Sequence, residues 1–359
     1  MPAGEPTPAT LRSDLKGTNM ILILTETKDI HADRVEAKLR RRGEDLLRFD
    51  WSEFPTAASL SIQFQGRDKR VRLRTGAAEV DLGGVKSAWL RRPTRPVIAA
   101  GIEEPLMKSY AGEECFQVIQ DTWNALDTAW LPGPIAAIRR ADNKQLQLGL
   151  AIELGMEIPP TLITNDPDEF LDFYRQHDGR LIDKQPSVIL AASQRTGNEL
   201  MRYTQPVTTR DVGYARRIRY SPMLFQGYVA KKFELRITVI DGRVLAAEIH
   251  SQTTKRTQLD WRHYDWGHTP YRAHDLPAEV EAQCLEMVDR LGLRFGAIDM
   301  IVTPDGRYVF LEINPNGQWM WIEDETGLPL SDALCDALAN PGSPRRSAAL
   351  QPAVKEMVS

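Results

Sequence analysis

The patterned part of the chain opens with an unbroken apolar run, Ile21 to Thr25, suited to a buried strand. Asp33 to Arg42 then carries apolar residues at helical spacing and stops at Gly43, a helix-ending residue. Leu46 to Asp50, Leu60 to Phe64 and Arg70 to Arg74 read as strands, the last two as a pair. Val85 to Leu90 is another strand, followed by the basic turn Arg91-Arg92-Pro93, and Glu103 to Thr128 has helical periodicity. Together these predict a small β–α–β domain over residues 20–130.

Pro132 and Pro134 mark a linker into a second α/β region, residues 131–222. Asp142 to Leu154 reads as a helix ended by Gly155, Thr161 to Thr164 as a strand, and Asp166 to Gln176 as a helix capped by Asp166 with Pro167 at its first position. Arg180 to Lys184 is a strand, and Gln185 to Thr209 carries little pattern. The third region, residues 223–340, opens with Met223 to Val229. Asp241-Gly242 then joins the strands Phe233 to Ile240 and Arg243 to His250, a strong hairpin signal. Ala278 to Leu291 is a helix, and Pro304-Asp305-Gly306 joins the strands Phe295 to Val302 and Tyr308 to Ile313. Residues 1–19 read as a disordered arm, with Met20 as an alternative start, and residues 341–359 as a flexible tail. The fold class is mixed α/β.

At 359 residues the chain exceeds what one core usually holds, which agrees with several subdomains. Its 49 acidic and 45 basic side chains leave a net charge of −4, which argues against a general nucleic-acid partner. Cys115, Cys284 and Cys335 are too few and too scattered for a disulfide framework or a zinc motif. No apolar stretch is long enough for a bilayer, so no membrane partner is expected. Residues 1–19 also lack the apolar core of a signal peptide, so a cytoplasmic location is expected.

The most informative stretch is Phe295 to Trp319. Glu312 and Asn314 are two apart on one strand and so share a face, and the hairpin brings Asp299 beside them. Two carboxylates and an amide oxygen make a hard, incomplete ligand set that suits Mg²⁺, which takes its remaining ligands from water and phosphates. Carboxylates on a plain surface hairpin would not sit inside runs as apolar as these. Lys144 near a helix start and Lys184 at a strand end are compact charges of the kind that bind a triphosphate, although either one alone reads better as a solvated surface lysine. Phe225 to Val229 is a short apolar segment that reads equally as a plain edge strand or as a segment able to hold an adenine ring. Glu234 and Arg236 share a face of their strand, and Arg262 follows in Asp260-Trp261-Arg262. Arginines so placed can stabilise a transferring phosphoryl group, although a structural ion pair also accounts for Glu234. His250 and His263 have no catalytic context and read as structural.

This order of residues resembles the ATP-grasp superfamily. The segments around Lys144, from Ile158 (IPPTLITND), from Val229 (VAKKFELRITV), at Asp260 (DWR) and from Phe310 (FLEINPNGQWMWIEDETGLP) are similar to the ATP-grasp maturases of ribosomal peptides, the graspetide synthetases. Leu24 to Val35 and WLRRP from Trp89 are similar to the small domain that precedes the ATP-grasp fold in that branch. The resemblance spans roughly residues 20–335. It implies an ATP-grasp fold behind a pre-ATP-grasp domain, with ATP and Mg²⁺ as cofactors. Lys144 and Lys184 would bind the phosphates of ATP, Gln226, Tyr228 and Val229 would form the adenine hinge, and Glu234 would lie in the same nucleotide site. Arg236 and Arg262 would act on the transferred phosphoryl group, and Asp299, Glu312 and Asn314 would bind the metal. Two departures stand out: Gly227 replaces an acidic hinge residue, and the loop after Lys184 is poor in glycine. The implied partner is a precursor peptide of leader and core, whose Asp or Glu side chains become acyl phosphates and then ester or amide rings. A homodimer is left open. The competing readings are a ligase for small acids and a non-catalytic nucleotide-binding scaffold.

Overall fold

The computed structural model describes residues 19–184, 191–192, 199–200, 204–253 and 269–342. The chain divides into two compact units, one formed by residues up to 135 together with those from 334 onward, the other by residues 136–333.

The first unit contains β1 (Met20–Thr25), α1 (Ile30–Arg41), β2 (Leu46–Phe49), β3 (Ser59–Gln65), β4 (Asp68–Arg74), β5 (Glu79–Asp81), β6 (Val85–Arg92), α2 (Pro105–Asn124) and β7 (Ala129–Leu131). A parallel sheet in the order β2-β1-β6-β7 forms its centre. Every residue of β1 is buried, as expected of a central parallel strand covered on both faces. The sequence pattern starts α1 at Asp33; the structure starts it at Ile30, because the Asp29 carboxylate accepts from His31 N and Ala32 N and caps the first turn. β3, β4 and β5 form a separate antiparallel sheet. The C-terminal part of α9 (Leu330–Ala339) belongs to this unit: Ser87 Oγ donates to Leu338 O at 2.7 Å and Arg42 pairs with Asp336 at 2.8 Å.

The second unit runs through α3 (Ile135–Ala141), α4 (Lys144–Glu153), β8 (Thr161–Thr164), α5 (Pro167–Gln176), β9 (Leu181–Lys184), β10 (Ala191–Ala192), β11 (Glu199–Leu200), β12 (Gln205–Pro206), α6 (Thr209–Gly213) and β13 (Met223–Gly227). It continues through β14 (Phe233–Ile240), β15 (Arg243–Ile249), β16 (Tyr271–His274), α7 (Ala278–Arg290), β17 (Phe295–Val302), β18 (Tyr308–Asn314) and α8 (Met320–Thr326). Two antiparallel sheets result, β12-β9-β13-β8 and β16-β15-β14-β17-β18. α5 packs on the first through Phe170, Leu181, Val207, Ala215, Ile218 and Phe225. α7 packs on the second. The β14–β15 turn has positive φ at both central residues, 49° at Asp241 and 85° at Gly242, the geometry that the Asp-Gly signal predicts.

Candidate active site

β14 and β17 are buried at every position, yet each carries charge: Glu234 and Arg236 on β14, Asp299 on β17. Cross-strand register sets Arg236 opposite Asp299, and Asp299 opposite Glu312 of β18. The three side chains form one row across three strands, on one face. Asn314 lies two residues further along β18, opposite Ala297, and its Oδ1 accepts from Asn316 N at 2.9 Å. A register shift between Asp299 and Met300 leaves Leu311 as an extra residue beside Glu312, a bulge of the kind that re-aims side chains.

Each acid meets a base. Arg236 Nη1 donates to both oxygens of Asp299, at 2.8 and 3.0 Å, and Nη2 donates to Gln318 O at 3.0 Å. The loop that brings Gln318 so close requires Gly317, where a Cβ would lie 2.4 Å from Ala297 Cβ and 2.8 Å from Arg236 Nη2. Lys144, at the start of α4, pairs with Glu312. One turn on, buried Gln147 takes Ile313 from both sides: Ile313 N donates to its Oε1 at 3.1 Å and its Nε2 donates to Ile313 O at 2.9 Å. That exchange docks α4 on β18 and sets Lys144 beside Glu312. Buried Lys231 pairs with buried Glu234 at 2.6 Å. Burial pushes the Glu234 carboxyl above its usual range, and Lys231 opposes the shift.

The opposite wall comes from β9 and β13. Gln226 Nε2 donates to Thr161 Oγ1 at 3.0 Å, while its buried Oε1 has no hydrogen-bond partner among the described residues. Gly227 N donates to Pro160 O and Tyr228 N to Arg180 O, both at 2.9 Å, which fixes the segment that follows. Between the walls lies an open cleft. Lys184, Gln226, Tyr228, Val229, Glu234, Asp299 and Glu312 line it together. Arg236 and Lys144 reach it through their acids. Asn314 is not among the lining residues, Arg262 lies outside the described residues, and so does the loop that follows Lys184. Sequence reasoning missed Lys231, Thr204, Gln147 and Gly317. For Gln147 a signal was present, since it stands three residues after Lys144 and so on the same helix face.

The model of the MvdD pre-ATP-grasp domain matches residues 20–139. The macrocyclase MdnC of Microcystis aeruginosa MRC, solved with its precursor peptide MdnA, is 33% identical, with a TM-score of 0.79 over 90% of this chain and 100% of that one. The chain belongs to this family of ATP-grasp macrocyclases. Another member, the RiPP-associated ATP-grasp ligase of Chryseobacterium gregarium, solved with ADP and a leader and core peptide, is 30% identical, with a TM-score of 0.83 over 90% of this chain and 98% of that one. The macrocyclase MdnB of Microcystis aeruginosa MRC is 34% identical, with a TM-score of 0.73 over 89% of this chain and 99% of that one. A search of curated protein sequences returns no match. As a member of the family the chain is an ATP-grasp ligase, with a pre-ATP-grasp domain ahead of the catalytic fold.

Proposed function

We propose that this ligase uses ATP and Mg²⁺ to activate Asp or Glu side chains of a ribosomally made precursor peptide and closes them into ester or amide rings. One observation carries the reading. A single cleft gathers a hinge segment, lysine Lys184 and two carboxylates in register, in a chain at least 30% identical to enzymes solved with precursor peptides.

The residues present fit both cofactors. The orphaned Gln226 Oε1 is an acceptor at the hinge end, suited to the amino group of adenine. Lys144 and Lys184 would neutralise phosphate oxygens. Asp299, Glu312 and Asn314 offer only oxygen ligands, the donor type that suits Mg²⁺. Mg²⁺ held there would offset charge on the phosphates.

In the first step a substrate carboxylate oxygen attacks the γ-phosphorus, the bond to the β-phosphate oxygen breaks, and ADP leaves. A hydroxyl or amine of the same peptide then attacks the acyl carbon, loses its proton, and inorganic phosphate leaves. Each ring costs the peptide one water. Arg236, held at two points by Asp299 and at a third by Gln318 O, is preorganised to stabilise charge as it develops, and Arg262 shares that role in this reading. A cytoplasmic setting belongs to the reading, since ATP is supplied there.

Hydroxylamine tests the first step. Enzyme, Mg²⁺, ATP and a Glu-containing peptide should give a glutamyl hydroxamate in step with ADP. ADP release without hydroxamate, or AMP as the product, would count against the acyl phosphate.

A further inference from the structure

The segment between α6 and β13 carries a feature that the cleft does not use. Ala215–Tyr220 is a 3₁₀ turn, in which residues three apart eclipse one another. Its sequence, ARRIRY, therefore sorts into three rows. Ala215 and Ile218 form the buried row and join the core with Phe170, Leu181 and Phe225. Arg216 with Arg219, and Arg217 with Tyr220, form two exposed rows. Tyr220 is 89% exposed and Tyr214 48%, and the Arg217 guanidinium lies 4.4 Å from the centroid of the Tyr214 ring. Arg210 on α6 is exposed as well.

Within residues 209–220 the charge is one-sided. Asp211 is the one acid in this stretch, and its Oδ2 serves the α6 cap, accepting from Thr208 N at 2.8 Å and Thr208 Oγ1 at 2.6 Å. Among the described residues no ion pair engages Arg210, Arg216, Arg217 or Arg219. Four such arginines on a chain of net charge −4 form a local basic face, which attracts an anionic partner.

Its position is informative. Ile182, Lys184 and Gln226 line the cleft, whereas Leu181 and Phe225, which alternate with them, point into the core under the 3₁₀ turn. The arginine face thus lies across the β9–β13 layer from the cleft, yet its segment begins soon after Thr204, which lines the cleft, and leads into the hinge strand.

We propose that this arginine–tyrosine face docks an acidic stretch of the substrate peptide, outside the residues being cyclised. The occupant rests on the functional reading above, in which the substrate is a carboxylate-bearing peptide. Charge complementarity selects it: guanidinium groups grip carboxylates two-pointed, and Arg and Tyr are the side chains that most often anchor binding surfaces.

The test uses the full chain and a fluorescein-labelled Glu-Ser repeat peptide, with binding read by anisotropy. Arg216→Glu/Arg219→Glu should weaken that peptide by about tenfold or more, with Arg216→Gln/Arg219→Gln between it and the wild type. ATP affinity by calorimetry should stay unchanged in both, which also reports that they fold. Labelled oligothymidylate and phosphatidylserine vesicles serve as the other anions. Peptide binding that ignores the charge reversal overturns the proposal, and so does tighter, reversal-sensitive binding of oligothymidylate or vesicles. Hydroxamate formation on the same peptide separates this surface from the ligase reading. Hydroxamate formed with one KM in wild type and variants removes the surface and keeps the ligase. Reversal-sensitive binding without any hydroxamate keeps the surface and removes the ligase.

Discussion

Arg236 and Asp299 are buried against each other on neighbouring strands, and each is the other's compensation in a low-dielectric layer. Removing one partner of such a pair typically costs about 3–5 kcal/mol, because the other is left charged and unpaired. Arg236→Ala should therefore lower the Tm as well as the turnover, and a bare activity loss in it would be ambiguous. The pair variant Arg236→Met/Asp299→Asn resolves this. It should regain most of the stability and none of the single-turnover rate; recovery of both would make Arg236 purely structural. Lys184→Ala should behave differently. Its loss removes a phosphate partner, so ATP affinity by calorimetry should fall with the Tm little changed, and unaltered affinity would remove Lys184 from the site. Arg236 was legible as a charge in an apolar strand, whereas Lys184, next to Asp183 at a strand end, was legible only together with the other residues of the pattern. Lys231 was not, because beside Lys232 on a charged stretch it looks like a solvated lysine, and only the fold buries it against Glu234.

At the scale of elements, the row Arg236–Asp299–Glu312 depends on two local devices, the bulge at Leu311 and the tight loop at Gly317. A Gly317→Ala side chain would overlap both Ala297 and Arg236, so the loop must shift and Gln318 O must leave Arg236. That change should lower the single-turnover rate with little effect on ATP affinity; a wild-type rate would show that the Gln318 contact is dispensable. α1 supports a second test. Burial first, then the nearby Arg91, pushes His31 from the ordinary 6.5 down to about 4. The unfolded chain binds that proton near 6.5 and the native chain only near 4, so this contribution is whole above pH 6.5 and is lost as pH falls toward 4. By pH 5 the loss is about 2 kcal/mol. At Asp29 burial raises the carboxyl, but Arg91, Thr25, the Ala32 amide and His31 together hold it below its usual range, beneath this window. His31→Gln should thus flatten the fall in Tm between pH 7 and 5, and an unchanged slope would refute the assignment. Periodicity located the long elements well, from β14 and β15 to β17 and β18. Among the elements it missed are β7, β16, α3, α6, α8 and α9: the two strands are three and four residues long, too short for a period, and α8 lies in a stretch read for its Glu-x-Asn chemistry. The linker expected around Pro132 and Pro134 runs straight into α3.

For the whole molecule, the sequence carries the order of the parts, while the fold supplies the distances. Lys144 and Glu312 stand far apart in the chain, and their pairing depends on α4 docking to β18 through Gln147, a long-range contact that no local pattern encodes. The same holds for the return of the C-terminal part of α9 to the first unit, which no periodicity announces. The account stands on the ligase closing rings in a peptide at the expense of ATP. The most direct measurement is the mass of a candidate Thr- and Glu-rich precursor peptide after incubation with enzyme, Mg²⁺ and ATP. The account predicts a peptide lighter by one water for every ring, with one ADP and one phosphate released per water lost, and no change when ATP is withheld. A peptide of unchanged mass alongside steady ATP turnover would contradict it.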